Sequence, residues 1–301
     1  MKSKKYLALF SLLVISMLLL TSCSKQEAVP TSTVFMGGTK GITLEFEPFG
    51  VEENNLYTIF DTETFPLEVT LRNKGEYEIK SGDITVNLLG PSQKEFTGIS
   101  SWELKNKDAL DKISELVTEG GEETITFATD AKYSGEVVGL QERTWFANLD
   151  YNYETYVLIP EVCLKEDLTD TRVCEVVEAK TFHVSGAPII IKSVEESTAG
   201  KGIMALKIKI SNAGSGKVTK QGVDFGTREE LTYTIDDTDW ECKSGGKVDE
   251  ARLISGEAEV VCKLKNPLAA DTLSTQQVKL TLTYKYRDLI QEKLAIKESA
   301  N

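Results

Sequence analysis

The chain has 301 residues, of which 27% are charged and 41% hydrophobic, and its 47 acidic against 34 basic side chains give a formal net charge of -13. That balance speaks against nucleic acid as a partner and against a basic patch for anionic lipid. The supply of aromatic and β-branched residues speaks against disorder over most of the length.

The N-terminus falls into three blocks. Lys2, Lys4 and Lys5 come first, then the nearly unbroken apolar run from Tyr6 to Leu20, then Leu20-Thr21-Ser22-Cys23. A positive start, an apolar middle and small residues at the end describe a secretory signal peptide, assigned to 1-22. The run of about 15 residues is short of the roughly 20 that a spanning helix needs. Leu, two small residues and Cys resemble the lipobox of prokaryotic lipoproteins. The resemblance implies cleavage before Cys23 and a lipid on its thiol. The membrane is then a partner through the N-terminal lipid, and the rest of the chain lies on the extracytoplasmic face. The alternative, an uncleaved anchor helix, also exports the rest. Cleavage removes three lysines and takes the formal charge from -13 to -16. Residues 23-38 read as a lipidated tether, polar from Ser24 to Val34.

Strand signals follow. Ile42 to Phe46, Phe65 to Leu71, Ile84 to Leu88, Thr124 to Phe127, Tyr151 to Cys163 and Val173 to Val184 alternate or carry β-rich runs, punctuated by Gly, Pro, Asn and Asp. One segment breaks the period. Asp108 to Val117 places Ala109, Leu110, Ile113, Leu116 and Val117 at helical spacing, with Asn106 or Asp108 to cap it and Gly120-Gly121 to end it, so a short helix over 108-117 is predicted. Ser185-Gly186-Ala187-Pro188 reads as a joint between a domain at 39-185 and a second at 187-300. In the second, strands are predicted from Ile189 to Val194, Ile203 to Ser211, Glu229 to Ile235, Glu257 to Leu264, Val278 to Tyr286 and Leu289 to Ile296. The last two are joined as a hairpin through Tyr286-Arg287-Asp288-Leu289. The fold class is therefore all-β: two tandem antiparallel sandwiches with a helix inserted in the first.

With Cys23 assigned to lipid, four cysteines remain, which allow three pairings. Cys163–Cys174 and Cys242–Cys262 are favoured because each pair is local and lies within one predicted domain. Export favours disulfides over metal, since the spacings are wide and His183 is the single histidine.

The two halves also look related. Leu67-Glu68-Val69-Thr70-Leu71-Arg72-Asn73-Lys74-Gly75 lines up with Leu206-Lys207-Ile208-Lys209-Ile210-Ser211-Asn212-Ala213-Gly214, each an alternating strand ending in Asn-x-Gly. The Asn and Gly suit the positive φ of a closing turn. This pattern, with the lipobox and one Cys pair per half, resembles the CARDB-like and related immunoglobulin-like sandwiches of prokaryotic surface lipoproteins. The resemblance covers about residues 40 to 300, implies the sandwich fold, and carries no catalytic residue.

Other candidate sites are weak. His183 stands alone on a strand. Gly214-Ser215-Gly216-Lys217 lacks the glycine and the Ser/Thr that a phosphate loop needs. Asp236, Asp237 and Asp239 form an acidic cluster, a weak calcium candidate without EF-hand spacing. Trp102, Trp145, Tyr151, Tyr153 and Tyr156 could form an aromatic platform, though such spacing more often builds core. No cofactor and no catalytic residue is expected. The functional expectation is a non-catalytic module for binding, adhesion or envelope assembly with a protein partner at the cell surface. The alternatives are an accessory subunit of a secretion, pilus or transport complex, and an enzyme whose site is not visible in sequence.

Overall fold

The alternating segments, except Val173 to Val184, fold as strands in the computed structural model, which describes residues 34-176 and 179-300. Of the described residues between Val173 and Val184, only His183–Val184 is a strand. Cys23, the signal segment 1-22 and the tether up to residue 33 lie outside the described residues. The first half holds β1 (Ile42–Phe46), β2 (Val51–Glu53), β3 (Leu56–Phe60), β4 (Thr64–Asn73), β5 (Ile84–Gly90), β6 (Phe96–Thr97), β7 (Glu103–Lys105), β8 (Glu122–Tyr133) and β9 (Leu140–Lys165). The second holds β10 (His183–Val184), β11 (Ile189–Gly200), β12 (Ile203–Asn212), β13 (Lys217–Thr219), β14 (Glu229–Ile235), β15 (Trp240–Ser244), β16 (Lys247–Val248), β17 (Glu250–Leu253), β18 (Glu257–Leu264) and β19 (Leu273–Lys297).

These strands make three sheets. One runs β1-β4-β8-β6 and another β11-β12-β18-β15-β16. The third has ten strands, with the main path β7-β5-β9-β19-β14-β17. Its centre is an antiparallel ribbon in which β9 and β19 pair from Leu140↔Lys297 to Lys165↔Leu273. In this ribbon Tyr151 faces Tyr286 and Tyr153 faces Tyr284, so a pseudo-twofold axis passes near the Asn152↔Lys285 pair. It carries each residue of β9 onto the residue 133 further along in β19 (151 to 284, 153 to 286). The same operation carries β5 onto β14 and β7 onto β17, because Thr85 pairs with Asp150 and Lys105 while Thr232 pairs with Thr283 and Glu250. The outer sheets obey it as well. Asn73 pairs with Ile42 and Asn212 with Ile189, and Arg72 pairs with Glu122 as Ser211 pairs with Glu257.

Alternation explains the layering. Phe65, Leu67, Val69 and Leu71 of β4 are buried, as are Leu206, Ile208 and Ile210 of β12, and both sets join one continuous apolar cluster with the inward residues of the central sheet. Trp145 of β9 anchors the first half, with its ring 6.2 Å from Phe65, 4.8 Å from Phe96 and stacked 5.8 Å from Trp102.

The structure departs from these expectations at a hairpin and at a helix. The expected hairpin at Tyr286–Leu289 does not form, because Leu273–Lys297 is one unbroken strand. Arg287 and Asp288 are polar because one grips Asp150 and the other accepts the Ser215 hydroxyl, not because the chain turns. As a result the last strand returns into the first half, where Leu294–Lys297 pairs with β3, and Phe35–Asn301 forms a single compact unit across the joint at Gly186. The predicted helix over 108-117 is absent. Leu110 instead bridges to Ile79, Ile113 is buried, and Leu116 is 96% exposed. The local cause is Asn106, whose amide donates to the carbonyls of Lys80 and Asp108 and whose oxygen accepts the Ile84 amide, so it fastens the segment to β5 and does not cap a helix.

Both favoured disulfides are present. Cys242 and Cys262 sit directly opposite on β15 and β18, and Cys163–Cys174 ties the segment after β9 back onto its end. Closing a loop of 20 residues contributes about 3 kcal/mol in the chain-entropy account.

Candidate functional site

The centre of the ribbon is where the two halves meet and where most of the unusual polar chemistry collects. Tyr151, Tyr153, Tyr284 and Tyr286 form a buried cluster, with ring centroids of 5.7 Å for both the 151–153 and 151–286 pairs. Burial pushes the hydroxyls of Tyr151 and Tyr284 far above the usual phenol value and that of Tyr286 up to about 12. They therefore remain neutral donors.

Two of these hydroxyls close the repeated Asn-x-Gly corners. Asn73 accepts from the Gly75 amide (3.1 Å) and donates to the Tyr77 carbonyl (2.7 Å), and the Tyr77 amide donates to the Tyr153 hydroxyl (3.3 Å). Asn212 accepts from the Gly214 amide (3.1 Å) and donates to the Gly216 carbonyl (2.8 Å), and the Gly216 amide donates to the Tyr286 hydroxyl (2.9 Å). Positive φ is not the reason for either glycine. A Cβ on Gly75 would lie 1.9 Å from the Tyr153 hydroxyl, and one on Gly214 would lie 2.3 Å from that of Tyr286. Each glycine is there to let a tyrosine hydroxyl approach the backbone. Tyr153→Phe and Tyr286→Phe are each expected to cost about 1–3 kcal/mol, since each leaves a corner amide without its acceptor. Matched shifts of the urea midpoint would verify the equivalence, and a loss in only one half would break it.

Two acidic groups complete the waist. The Glu76 carboxylate accepts the amides of Met36 (2.9 Å), Gly37 (2.9 Å) and Gly186 (2.6 Å), pinning Met36 and Gly37 to the joint. Asp150, 6% exposed, holds Arg287 through two hydrogen bonds (2.5 and 2.6 Å) and lies 3.5 Å from Lys285. That grip raises the Arg287 guanidinium above its usual value. The Phe225 ring covers the pair, 4.2 Å from the Arg287 guanidinium carbon and 5.2 Å from the Lys285 amine.

Phe225 sits on an insertion. Asn212 to Thr232 spans 20 residues where the equivalent Asn73 to Thr85 spans 12, so this half carries eight extra residues. The inserted loop forms one wall of a cleft of about 670 Å³, with Asn148, Lys217, Asp288 and Leu289 on the others. A smaller hollow of about 220 Å³ adjoins it, lined by Tyr151, Tyr286 and Gly41 and sharing Ser215 and Asp288. The amide, amine, carboxylate and hydroxyl groups around an aromatic edge suit noncovalent recognition.

The sequence-derived candidates are scattered. His183 pairs opposite Leu158 on β10, half-buried and outside the cleft. Trp145, Tyr151 and Tyr153 are core, Trp102 is stacked on Trp145, and the half-buried Tyr156 donates to Glu154 (2.9 Å), so these five present no aromatic platform. The Asp236, Asp237 and Asp239 cluster fastens a turn. Asp236 accepts the Lys279 amide (2.9 Å), while Asp237 accepts the Asp239 amide (2.8 Å) and the Gln276 side chain. Among the described residues no three His, Cys, Asp or Glu side chains gather as a metal site. Gly214 to Lys217 makes the tight turn into β13. Sequence reading missed Glu76, Asp150, Arg287 and Phe225. One signal was available: Lys285 and Arg287 alternate with Tyr284 and Tyr286, which places two cations on one face of a strand.

No protein-family model matches the chain, and no curated protein matches it. Among solved structures, the secreted serine protease VesC from Vibrio cholerae superposes with a TM-score of 0.21 and 8% identity, over 81% of this chain and 50% of that one. The chain spans about half the length of that protein, and a superposition at this level carries no argument about fold or activity.

Proposed function

We propose that the chain is a lipid-anchored extracytoplasmic protein that works by binding, as a non-catalytic module for adhesion or envelope assembly built from immunoglobulin-like, CARDB-like sandwiches. The observation that carries the reading is the pair of cystines, Cys163–Cys174 and Cys242–Cys262, one in each half. Structural disulfides belong to oxidising compartments, which agrees with a signal segment 1-22 that ends before Cys23. The polar cleft on the inserted loop supports recognition as the activity.

Intact mass spectrometry of protein extracted from membranes, with and without reductant, tests this. The expected result is loss of residues 1-22, a lipid adduct on Cys23, and a mass about 4 Da below that of the reduced form. An unmodified N-terminus with four free thiols would overturn the reading.

A further inference from the structure

The halves differ most where the central sheet hands over to the outer sheets. In the first half, 14 residues (108-121) separate Lys107 from Glu122, while in the second only four (253-256) separate their equivalents, Arg252 and Glu257. The short connection is a tight turn with Ser255 and Gly256 at positive φ. The longer one is held at its start by a carboxylate, since the amides of Lys107 (2.8 Å) and Asp108 (3.3 Å) donate to Glu123. The position equivalent to Glu123 is Ala258, so the second half supplies no carboxylate there.

What remains is an open notch of about 440 Å³, lined by Arg228, Arg252, Lys247, Ile254 and Ala258. Its cations stand out in an acidic protein. Four of the six arginines are in ion pairs: Arg72, Arg143, Arg172 and Arg287. The two that form no ion pair among the described residues, Arg228 and Arg252, line this one notch. Of its three carboxylates, Glu230 lies 3.7 Å from Lys220 and Glu257 pairs with Lys192, which leaves Glu259 alone without a cation among the described residues. The notch lies between two terminal strands, β17 of the ten-stranded sheet and β16 of the five-stranded one. Ile254 is 69% and Val248 46% exposed.

We propose that this notch binds an extended acidic segment of a partner protein, laid along the free edge of β17. Its carboxylates would meet Arg228 and Arg252, and an apolar residue between them would rest on Ile254. Terminal strands accept a chain through backbone hydrogen bonds, and the apolar rim selects a peptide over a bare anion. The proposal rests on the reading of the protein as a binding module, but not on its lipid anchor.

The test is fluorescence anisotropy with full-length protein in detergent. The probe is a labelled peptide of residues 107-120 of this chain, which carries Asp108, Asp111, Glu115 and Glu119 around Leu110 and Ile113. Saturable binding is expected, weakened about tenfold or more by the Arg228→Glu, Arg252→Glu double variant and by raised salt. A peptide with the four carboxylates changed to amides should bind as weakly. Lys132→Glu, on the exposed face of β8, should leave binding unchanged. Both arginines are exposed, so the variant should melt as the parent does; if it does not, Arg228→Gln, Arg252→Gln replaces it. Absence of saturable binding, or binding indifferent to the charge reversal, would overturn the proposal. So would displacement by tripolyphosphate together with no loss from Leu110→Ala in the peptide, which would reduce the notch to a simple anion site. None of these failures touches the anchoring reading, which the mass measurement decides separately.

Discussion

Replacing Lys180 with Met should cost about 3–5 kcal/mol of stability, because it strands a buried carboxylate. The Lys180 amine lies 2.8 Å from Glu196, and the two side chains are 7% and 0% exposed. Glu196 also accepts the Cys163 amide (2.7 Å), and the Lys180 amide donates to the Val194 carbonyl (2.9 Å). The pair therefore clasps the segment that follows the first disulfide onto β9 and β11. Burial already raises the Glu196 carboxyl above its usual value, with Lys180 opposing the rise. A carboxyl whose pKa is higher folded than unfolded loses stability as pH climbs from its unfolded value through its folded one. Without Lys180 only the Cys163 amide still opposes that rise. The deficit of the variant should be greatest near neutral pH and should shrink as the buffer is acidified toward the unfolded value of about 4.3. Adding Glu196→Gln, which keeps an acceptor for the Cys163 amide, should recover most of the loss. Denaturant melts of the single and double variants across pH check this; a pH-independent deficit, or no recovery in the double variant, would refute it.

Trp145→Ala should be comparably severe, at about 3–5 kcal/mol, through lost burial and the cavity left behind. The indole is fully buried, 4.8 Å from Phe96 and 6.1 Å from Phe49, and it carries the contact between the four-stranded and ten-stranded sheets. Its ring N–H has no hydrogen-bond partner among the described residues. Removing that donor removes a buried, unsatisfied group, so Trp145→Phe should be far milder than Trp145→Ala. Equal losses in the two variants would mean that the site tolerates no change of shape at all.

The contrast between these sites shows what the sequence could disclose. The strands were legible because alternation follows from one wet and one dry face, and the repeat was legible because each half ends a strand in Asn-x-Gly. The role of those glycines was not, because it depends on tyrosine hydroxyls from β9 and β19 that arrive 78 and 72 residues later (75 to 153, 214 to 286). Leu110 and Ile113 were recognisably core, but helical spacing alone could not separate a helix from an irregular segment pinned by Asn106. Arg287-Asp288 read as a turn because polar residues usually end strands. Here they are paired with Asp150 and Ser215 in the middle of a strand of 25 residues, far longer than the usual five or six. The Arg228–Arg252 notch was invisible, since it is a difference between two halves that only their pseudo-twofold relation exposes.

The paired ribbon also governs how the chain can fold. β9 and β19 are complete only in each other's company, yet partners such as Tyr153 and Tyr284 lie 131 residues apart. Neither half can finish its central sheet until the C-terminal strand returns, so the entropy of closing that long loop comes before most of the reward. The 25 residues of Leu273–Lys297 belong to both halves at once. A ribosome releasing this chain therefore delivers an unfinished first half, with the edge of β9 unpaired, until Leu273–Lys297 has emerged. On the export route proposed above, that delay would keep the polypeptide loose enough to be threaded through a membrane before it locks.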